Sequence, residues 1–307
     1  MAYYLGIDGG GTKTRCLLGD ETTVLARSTV GGSNIVRLGE KRAREAMRSA
    51  ITQVSAAAKI PTDRIHAICI GAAGAARPEI AAIIRGVIFH VIPGIPSANV
   101  EVIGDTEIAL EAAFGKGAGV IAIAGTGSVV YGRDGRGQIA RAGGWGFAVS
   151  DEGSGQWIGR CAVSGVLNAN DQGVKTALAA AVLQTWKLKG LDELVRHANA
   201  TPPPDFPRLF PIVLRAADEG DSMARTLLED AGKELTMLAS IVIRRLVTEA
   251  SAPLLPIATT GSVFRQSEIV RQVFYNALQA EFPGVTVRQE PVDPVEGALA
   301  RARAMHP

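Results

Sequence analysis

Apolar and polar positions along the chain fall into two successive rounds of the same pattern. Alternating or continuous apolar runs of strand length occupy residues 3–8, 13–18 and 22–30. Residues 39–59 then change to a helical period, with Ala43, Ala46, Met47, Ala50, Ile51 and Val54 on one face. Ile65–Ile70 reads as a buried strand, 78–88 as a helix, Val100–Ile103 as a strand and 106–114 as a helix. A second round starts at residue 118, with strands at Val120–Ala124, Ser128–Tyr131 and Gly137–Ala142. A long, mostly helical stretch over 152–250 follows. Leu254–Thr259 then reads as a strand, 264–281 as a helix, Val285–Val287 as a strand and 294–305 as a last helix. Pro202-Pro203-Pro204 breaks the helical stretch as a loop within a domain.

Each round reads β-β-β-α-β-α-β, so the expected architecture is α/β, with two domains of like plan, each a mixed five-stranded sheet flanked by helices. The boundaries predicted are 1–113, joined by the terminal helix 294–307, and 114–293. A length of 307 residues gives each domain a core of its own.

The turns between strands carry the chemistry. Gly6-Ile7-Asp8-Gly9-Gly10-Gly11-Thr12-Lys13-Thr14 lies between the first two apolar runs, so it reads as a strand, a glycine hairpin and a second strand. A turn with almost no side chains lets backbone N–H groups close on a phosphate, and the Thr12 and Thr14 hydroxyls would add donors. The Asp8 carboxylate, at the strand end, can reach a hydrated Mg²⁺ on the same phosphates. Ala124-Gly125-Thr126-Gly127-Ser128 occupies the equivalent position in the second round. A pair of such turns, one from each round, fits one nucleotide held in a cleft between the domains.

Asp105 ends an apolar strand and begins a helix, a position that by itself suits an N-cap. Beside two phosphate turns it suits a general base, the carboxylate that takes a proton from an alcohol during phosphoryl transfer. Gly143-Gly144-Trp145-Gly146 and Asp151-Glu152-Gly153-Ser154 combine an aromatic face with carboxylates, which suits a neutral polyol. The bland alternatives are a core Trp145 and an Asp151 that caps the helix beginning near Gly155. Asn34, in a Gly31-Gly32-Ser33-Asn34 turn, can both donate to and accept from the same ligand, or simply make the turn. Gly261-Ser262, after the buried strand, leaves backbone bare for a flat adenine or ribose.

Composition narrows the field. The chain is 47% hydrophobic and 20% charged, as in ordinary globular proteins. A net charge of +2 without runs of like charge points away from nucleic acid. No apolar run approaches 18 residues, so no membrane helix is expected. Cys16, Cys69 and Cys161 are scattered among small and apolar residues and read as free thiols of a reducing cytoplasm. The four histidines have no ligand-like spacing.

The ordered set Gly6–Thr14, Asp105, Ala124–Ser128, Gly143–Ser154 and Thr260–Val263 resembles the sugar kinase and actin-like ATPase superfamily. Within it, the chain resembles the N-acetylglucosamine kinase branch of the BadF/BadG/BcrA/BcrD ATPase family, and the likeness spans nearly the whole sequence. The resemblance implies a duplicated ribonuclease H-like fold and an ATP- and Mg²⁺-dependent kinase. The acceptor implied is an amino-sugar, at its 6-hydroxyl, and the kinase is a homodimer. On that resemblance Gly10, Gly11, Thr12 and Lys13 hold the β- and γ-phosphates, with Asp8 on the metal side. Gly125, Thr126 and Gly127 form the second phosphate turn. Gly261 and Ser262 face the adenosine, Asp105 is the base, and Asn34, Thr126, Trp145 and Asp151 bind the sugar. Ser150 stands where the family usually has glycine. Glu107 adds a carboxylate that would favour a free amine, making glucosamine a second candidate substrate. An ATPase that acts as a nucleotide-driven switch, without a sugar acceptor, is the reading from another class.

Overall fold

A computed structural model describes residues 2–247 and 254–305. The first five strands are β1 (Tyr3–Gly9), β2 (Lys13–Gly19), β3 (Val24–Gly31), β4 (Ile65–Ala72) and β5 (Val100–Gly104), with α1 (Ile35–Leu38), α2 (Glu40–Ala58), α3 (Pro78–Val91) and α4 (Asp105–Phe114) among them. Then come β6 (Gly119–Ala124), β7 (Ser128–Arg133) and β8 (Ile139–Gly143), and the helices α5 (Gly155–Asp171), α6 (Ala177–Trp186), α7 (Leu191–Ala198), α8 (Phe210–Asp218) and α9 (Ser222–Leu246). β9 (Ile257–Thr260), α10 (Ser262–Gln266), α11 (Glu268–Glu281) and α12 (Pro294–Ala304) complete the chain. It divides into two compact units, Met1–Ile121 with Val292–Pro307, and Ala122–Pro291.

In the first unit the strand order is β3-β2-β1-β4-β5. β1, β2 and β3 are an antiparallel meander, while β4 and β5 run parallel to β1. Alternation explains the layers. Leu5, Ile7, Cys16 and Leu18 point to one face and join Met47, Ile51 and Val54 of α2 and Ile84 and Ile88 of α3 in one core. Tyr4, Leu17 and Cys69 point to the other face, under Val295, Ala298 and Leu299 of α12. β4, buried on both faces from Ala67 to Ala72, is the continuous apolar run expected of a central parallel strand.

Glycines set how closely α12 approaches. A Cβ on Gly6 would fall 2.4 Å from the Leu299 nitrogen, and one on Gly297 would fall 2.1 Å from the Ile108 carbonyl oxygen. The helix therefore lies directly on β1 and crosses α4 backbone to backbone. Arg301 fastens it further through two 2.7 Å bonds to the Glu101 carboxylate on β5.

The second unit repeats the order as β8-β7-β6-β9. The strand expected at Val285–Val287 is reduced to a single parallel bridge between Ile257 and Val287, so this sheet has four strands where five were expected. The helix expected over 264–281 is two helices. The Ser267 hydroxyl accepts the Val270 N–H and restarts the chain as α11. The stretch expected as one helical region resolves into five α-helices before residue 247, the longest being α9, and the 248–250 part of it lies outside the described residues. No helix among the described residues is long and apolar enough to cross a membrane. The three cysteines are unpaired. Burial pushes the Cys16 and Cys69 thiols up, which leaves them as packing groups.

Candidate functional site

In the first unit, four of the sequence-predicted elements gather at one end of the sheet. Gly9 pairs with Ala72 and Ala72 with Gly104, so β1, β4 and β5 stop level with one another. Asp8 stands one residue before that line and Asp105 one residue after it, two strands away. Two strand steps of about 4.8 Å and a two-residue offset of about 3.3 Å per residue separate their backbones by roughly 12 Å. Both residues are half-buried. The C-terminal ends of parallel strands are where open α/β sheets bind ligands.

The glycine hairpin is closed by the Gly10 N–H on the Lys13 carbonyl at 3.0 Å. It is braced from behind by the loop that follows β3. The Ser33 N–H donates to the Gly10 carbonyl at 3.1 Å, and a Cβ on Gly32 would lie 2.4 Å from the Gly11 carbonyl oxygen. Thr12 and Lys13 are exposed at the tip. Thr14 is not a phosphate donor. It is fully buried, with its hydroxyl 2.8 Å from both the Gly31 carbonyl and the Ser33 hydroxyl. The strand alternation that exposes Lys13 turns Thr14 inward, and it serves the brace.

The same brace carries Asn34, the next residue. Its Oδ1 accepts the Arg37 N–H at 3.1 Å and caps α1. One neighbouring element escaped the sequence reading. The β4–α3 turn, Ala73–Arg77, lies at the same sheet end, and a Cβ on its Gly74 would be 3.3 Å from Val36 of α1. The run Gly71-Ala72-Ala73-Gly74-Ala75-Ala76 was the available signal: a buried strand that ends in small residues leaves room beside its tip.

Asp105 is not the N-cap of α4. Gly104 takes that position, and the Glu107 carboxylate accepts the Gly104 N–H at 3.2 Å. Asp105 is the first residue of the helix, with Oδ1 accepting the Thr106 N–H at 3.0 Å. Glu107 is thus engaged at the helix end. It also lies within electrostatic range of Arg301 on α12.

The second unit joins its predicted residues still more closely. The turn Gly125–Gly127 is closed by the Gly125 N–H on the Gly127 carbonyl at 2.9 Å. The first turn of α5 donates to it, Gly155 N–H to the Gly125 carbonyl and Gln156 N–H to the Thr126 carbonyl, at 2.8 and 3.1 Å. Asp151 is buried with φ +71°, a region that Asp tolerates better than most residues. Its Oδ1 accepts the Ser128 N–H at 3.3 Å, and the Ser128 hydroxyl donates to the Glu152 carbonyl at 2.6 Å. The cap of α5 is Ser154, which accepts the Trp157 N–H at 3.2 Å, so Asp151 is not the cap. Gly261, at φ +103°, passes so near the turn that a Cβ would meet the Ala124 carbonyl oxygen at 2.1 Å, and Ser262 opens α10 beside Gly125. A Cβ on Gly125 would touch nothing nearer than 3.9 Å. That bare space beside backbone suits a phosphate.

Trp145 is not a core residue. It is 73% exposed, with the Arg141 guanidinium 4.9 Å from its ring centroid. Gly143, Gly144 and Gly146 all have positive φ, which carries this segment out from the end of β8. Ser150 is buried and donates to Glu152 at 2.9 Å, so a serine here supplies an internal bond.

With these turns and carboxylates in view, comparison with known proteins gives a consistent answer. The model of the BadF/BadG/BcrA/BcrD ATPase family matches residues 5–302, and the chain belongs to that family. It is 32% identical to an N-acetylmuramic acid/N-acetylglucosamine kinase of Clostridium acetobutylicum, over 99% of each chain. It is 30% identical to an N-acetyl-D-glucosamine kinase of Dictyostelium discoideum, over 97% of each. The crystal structure of a candidate N-acetylglucosamine kinase of Chromobacterium violaceum superposes with a TM-score of 0.78 at 29% identity, covering 98% of this chain and 99% of that one. The fold is accordingly the duplicated ribonuclease H-like fold of the sugar kinases and actin-like ATPases.

Proposed function

We propose that the protein is an ATP-dependent kinase that phosphorylates the 6-hydroxyl of N-acetylglucosamine. The observation that carries this reading is the level ending of β1, β4 and β5, which puts Asp8 and Asp105 at one end of one sheet. Likeness over the full length to two amino-sugar kinases supports the acceptor class. Gly10, Gly11, Thr12 and Lys13, together with Gly125, Thr126 and Gly127, hold the phosphates through backbone N–H groups and the Lys13 ammonium. Gly261 and Ser262 face the adenosine. Asn34, Thr126, Trp145 and Asp151 bind the sugar.

Asp105 takes the proton of the sugar hydroxyl as the hydroxyl oxygen bonds to the γ-phosphorus, while the bond from that phosphorus to the β–γ bridging oxygen breaks and ADP departs. Mg²⁺ is usually held by one or two carboxylates plus the substrate phosphates, and the described residues contain no cluster of three or more metal-ligating side chains. Asp8 alone, acting through water, fits that donor set. Bound there, Mg²⁺ would neutralise charge on the transferring phosphoryl group. N-acetylglucosamine is favoured over glucosamine because the two full-length relatives at 30% identity or more both carry N-acetylglucosamine in their names. A cytoplasmic setting, favoured by the unpaired thiols, and homodimerisation, implied by the family resemblance, belong to the same reading.

A coupled ADP-release assay over glucose, mannose, glucosamine and their N-acetyl forms tests the proposal. Release should rise steeply with N-acetylglucosamine and should fall by orders of magnitude in Asp105→Ala, which still binds ATP. ADP release at one rate with and without every sugar would sink it.

A further inference from the structure

Aspartate at the N-cap of a helix ordinarily turns its carboxylate onto the second or third N–H of that helix. Asp293 holds the N-cap position of α12, directly before Pro294, and its side chain makes no such bond. Its backbone carbonyl takes the Glu296 N–H, at 3.0 Å. The carboxylate goes elsewhere: Oδ1 accepts from Nη1 of Arg15, on β2, at 2.7 Å. Both side chains are partly screened from solvent, at 30% and 25% exposure. A favoured cap that leaves its own helix for a guanidinium on a distant strand calls for a reason on the β2 side.

In the β1–β2 ladder Arg15 stands directly opposite Asp8. Residues opposed in this way share a face of the sheet, with Cβ atoms about 4.5–5.5 Å apart. The face is the one that α12 covers: Tyr4 on β1 and Leu17 on β2, each an even number of residues away, pack under Val295 and Leu299. The helix also runs the right way. Leu299 lies over Gly6 in mid-strand, and Arg303 bonds the Asp20 and Thr23 carbonyls just past the other end of β2. The first residue of α12 is therefore brought to the sheet end where Asp8 stands. The next acid of the helix, Glu296, meets Arg27 of β3, at 3.8 Å.

We infer that Asp293 is a positioning residue for the metal: by engaging Arg15 it keeps the guanidinium from closing on Asp8, so that Mg²⁺ and not arginine takes up the Asp8 charge. The inference rests on the reading of Asp8 as the metal-side carboxylate, and extends it to residues outside the phosphate and sugar sets named above. Opposite charges set directly across a ladder attract, so an untethered Arg15 would compete with a hydrated cation for the same carboxylate. Tied to Asp293, it cannot.

Mn²⁺, standing in for Mg²⁺, reports on the site without turnover. Its dissociation constant from the full chain saturated with a non-hydrolysable ATP analogue, read by EPR of the free ion, should rise roughly tenfold in Asp293→Ala. Arg15→Gln added to Asp293→Ala should restore the parent value, because the cation that competes with the metal is gone. Asp293→Asn keeps the shape of the side chain without its charge. It should weaken Mn²⁺ binding by a smaller factor, and it stands in if Asp293→Ala fails to fold. An Arg15–Asp293 pair that merely anchors α12 would give another pattern: earlier melting in the single and double variants alike, with Mn²⁺ affinity unmoved. Asp8→Asn, measured alongside, isolates the parent reading. Parent-like affinity in that variant would sink the metal role of Asp8 and the inference together. With Asp8→Asn weakened, parent-like affinity in the Asp293 variants would overturn the inference alone, as would a double variant that binds as weakly as Asp293→Ala.

Discussion

The Asp151 carboxylate accepts the Ser128 N–H at 3.3 Å, and through that bond the segment before α5 and the Gly125–Gly127 turn become one piece of structure. Gly127, just before Ser128, lies so close that a Cβ on it would fall 2.9–3.0 Å from the Asp151 carboxylate atoms. A shift of the Asp151 carboxylate would therefore be felt directly by the backbone of the Gly125–Gly127 turn.

Gly127→Ala tests this joint. The added methyl cannot coexist with the present Asp151 carboxylate, so the carboxylate or the turn must move by several tenths of an ångström. Turnover should drop roughly tenfold to a hundredfold, with the KM values for sugar and ATP both raised, because one displacement disturbs both partners. Steady-state kinetics with each substrate varied in turn checks it. A rise confined to one KM would show the two functions to be separable.

Trp145 makes the opposite prediction, of function without stability. Because it is 73% exposed, Trp145→Ala should change the unfolding free energy by no more than about 0.5 kcal/mol in a urea titration. If its ring covers the apolar face of the sugar, the KM for sugar should still rise roughly two- to tenfold, as expected for loss of an aromatic contact. Unchanged kinetics would remove it from the site.

Much of this was legible in the sequence because the strands are short, apolar and separated by glycine. The apolar runs over 3–8 and 65–70 could hardly be anything else, and the helical period over 39–59 named a face of which Ala43, Met47, Ala50, Ile51 and Val54 are buried and Ala46 half-buried. What escaped depended on contacts between distant segments. Thr14 resembles a phosphate ligand in sequence, but its hydroxyl bonds to Gly31 and Ser33, 17 and 19 residues on, a pairing that only the β2–β3 register creates. Trp145 resembles a core residue by type, yet three positive-φ glycines carry it outward. Asp105 was placed correctly at the strand end but assigned a possible cap that Gly104 and Glu107 supply between them. That choice depends on a one-residue offset, which propensity cannot resolve.

Gly261→Ala should be among the most damaging substitutions in the second unit. Its φ of +103° disfavours any L side chain, and the new methyl would overlap the Ala124 carbonyl oxygen, which lies 2.1 Å away. A loss of about 2–4 kcal/mol in urea unfolding is expected, together with weaker ATP binding in whatever fraction remains folded. A variant with parent stability would mean that β9 and β6 can separate without cost at this point.

Asp221 gives the second unit a stability that depends on pH. Partial burial pushes its carboxyl up, but the N–H of Ala224, the Thr176 hydroxyl and the N–H of Ala177 together outweigh that and hold it below the usual carboxylate range. It caps α9 and ties the start of α6 to it. A depressed folded value means that the stabilisation is fully present above the unfolded value of about 3.9, and is lost as pH falls through the folded value. Asp221→Ala should therefore cost about 1–2 kcal/mol at pH 7. The gap between variant and parent in urea titrations should narrow as pH drops below about 4. Asp221→Asn, which keeps an acceptor but cannot ionise, should lose less, and its difference from Asp221→Ala should be flat with pH. If the gap between Asp221→Ala and the parent stayed constant down to the acid transition, the ionised carboxylate would not be what joins α6 to α9.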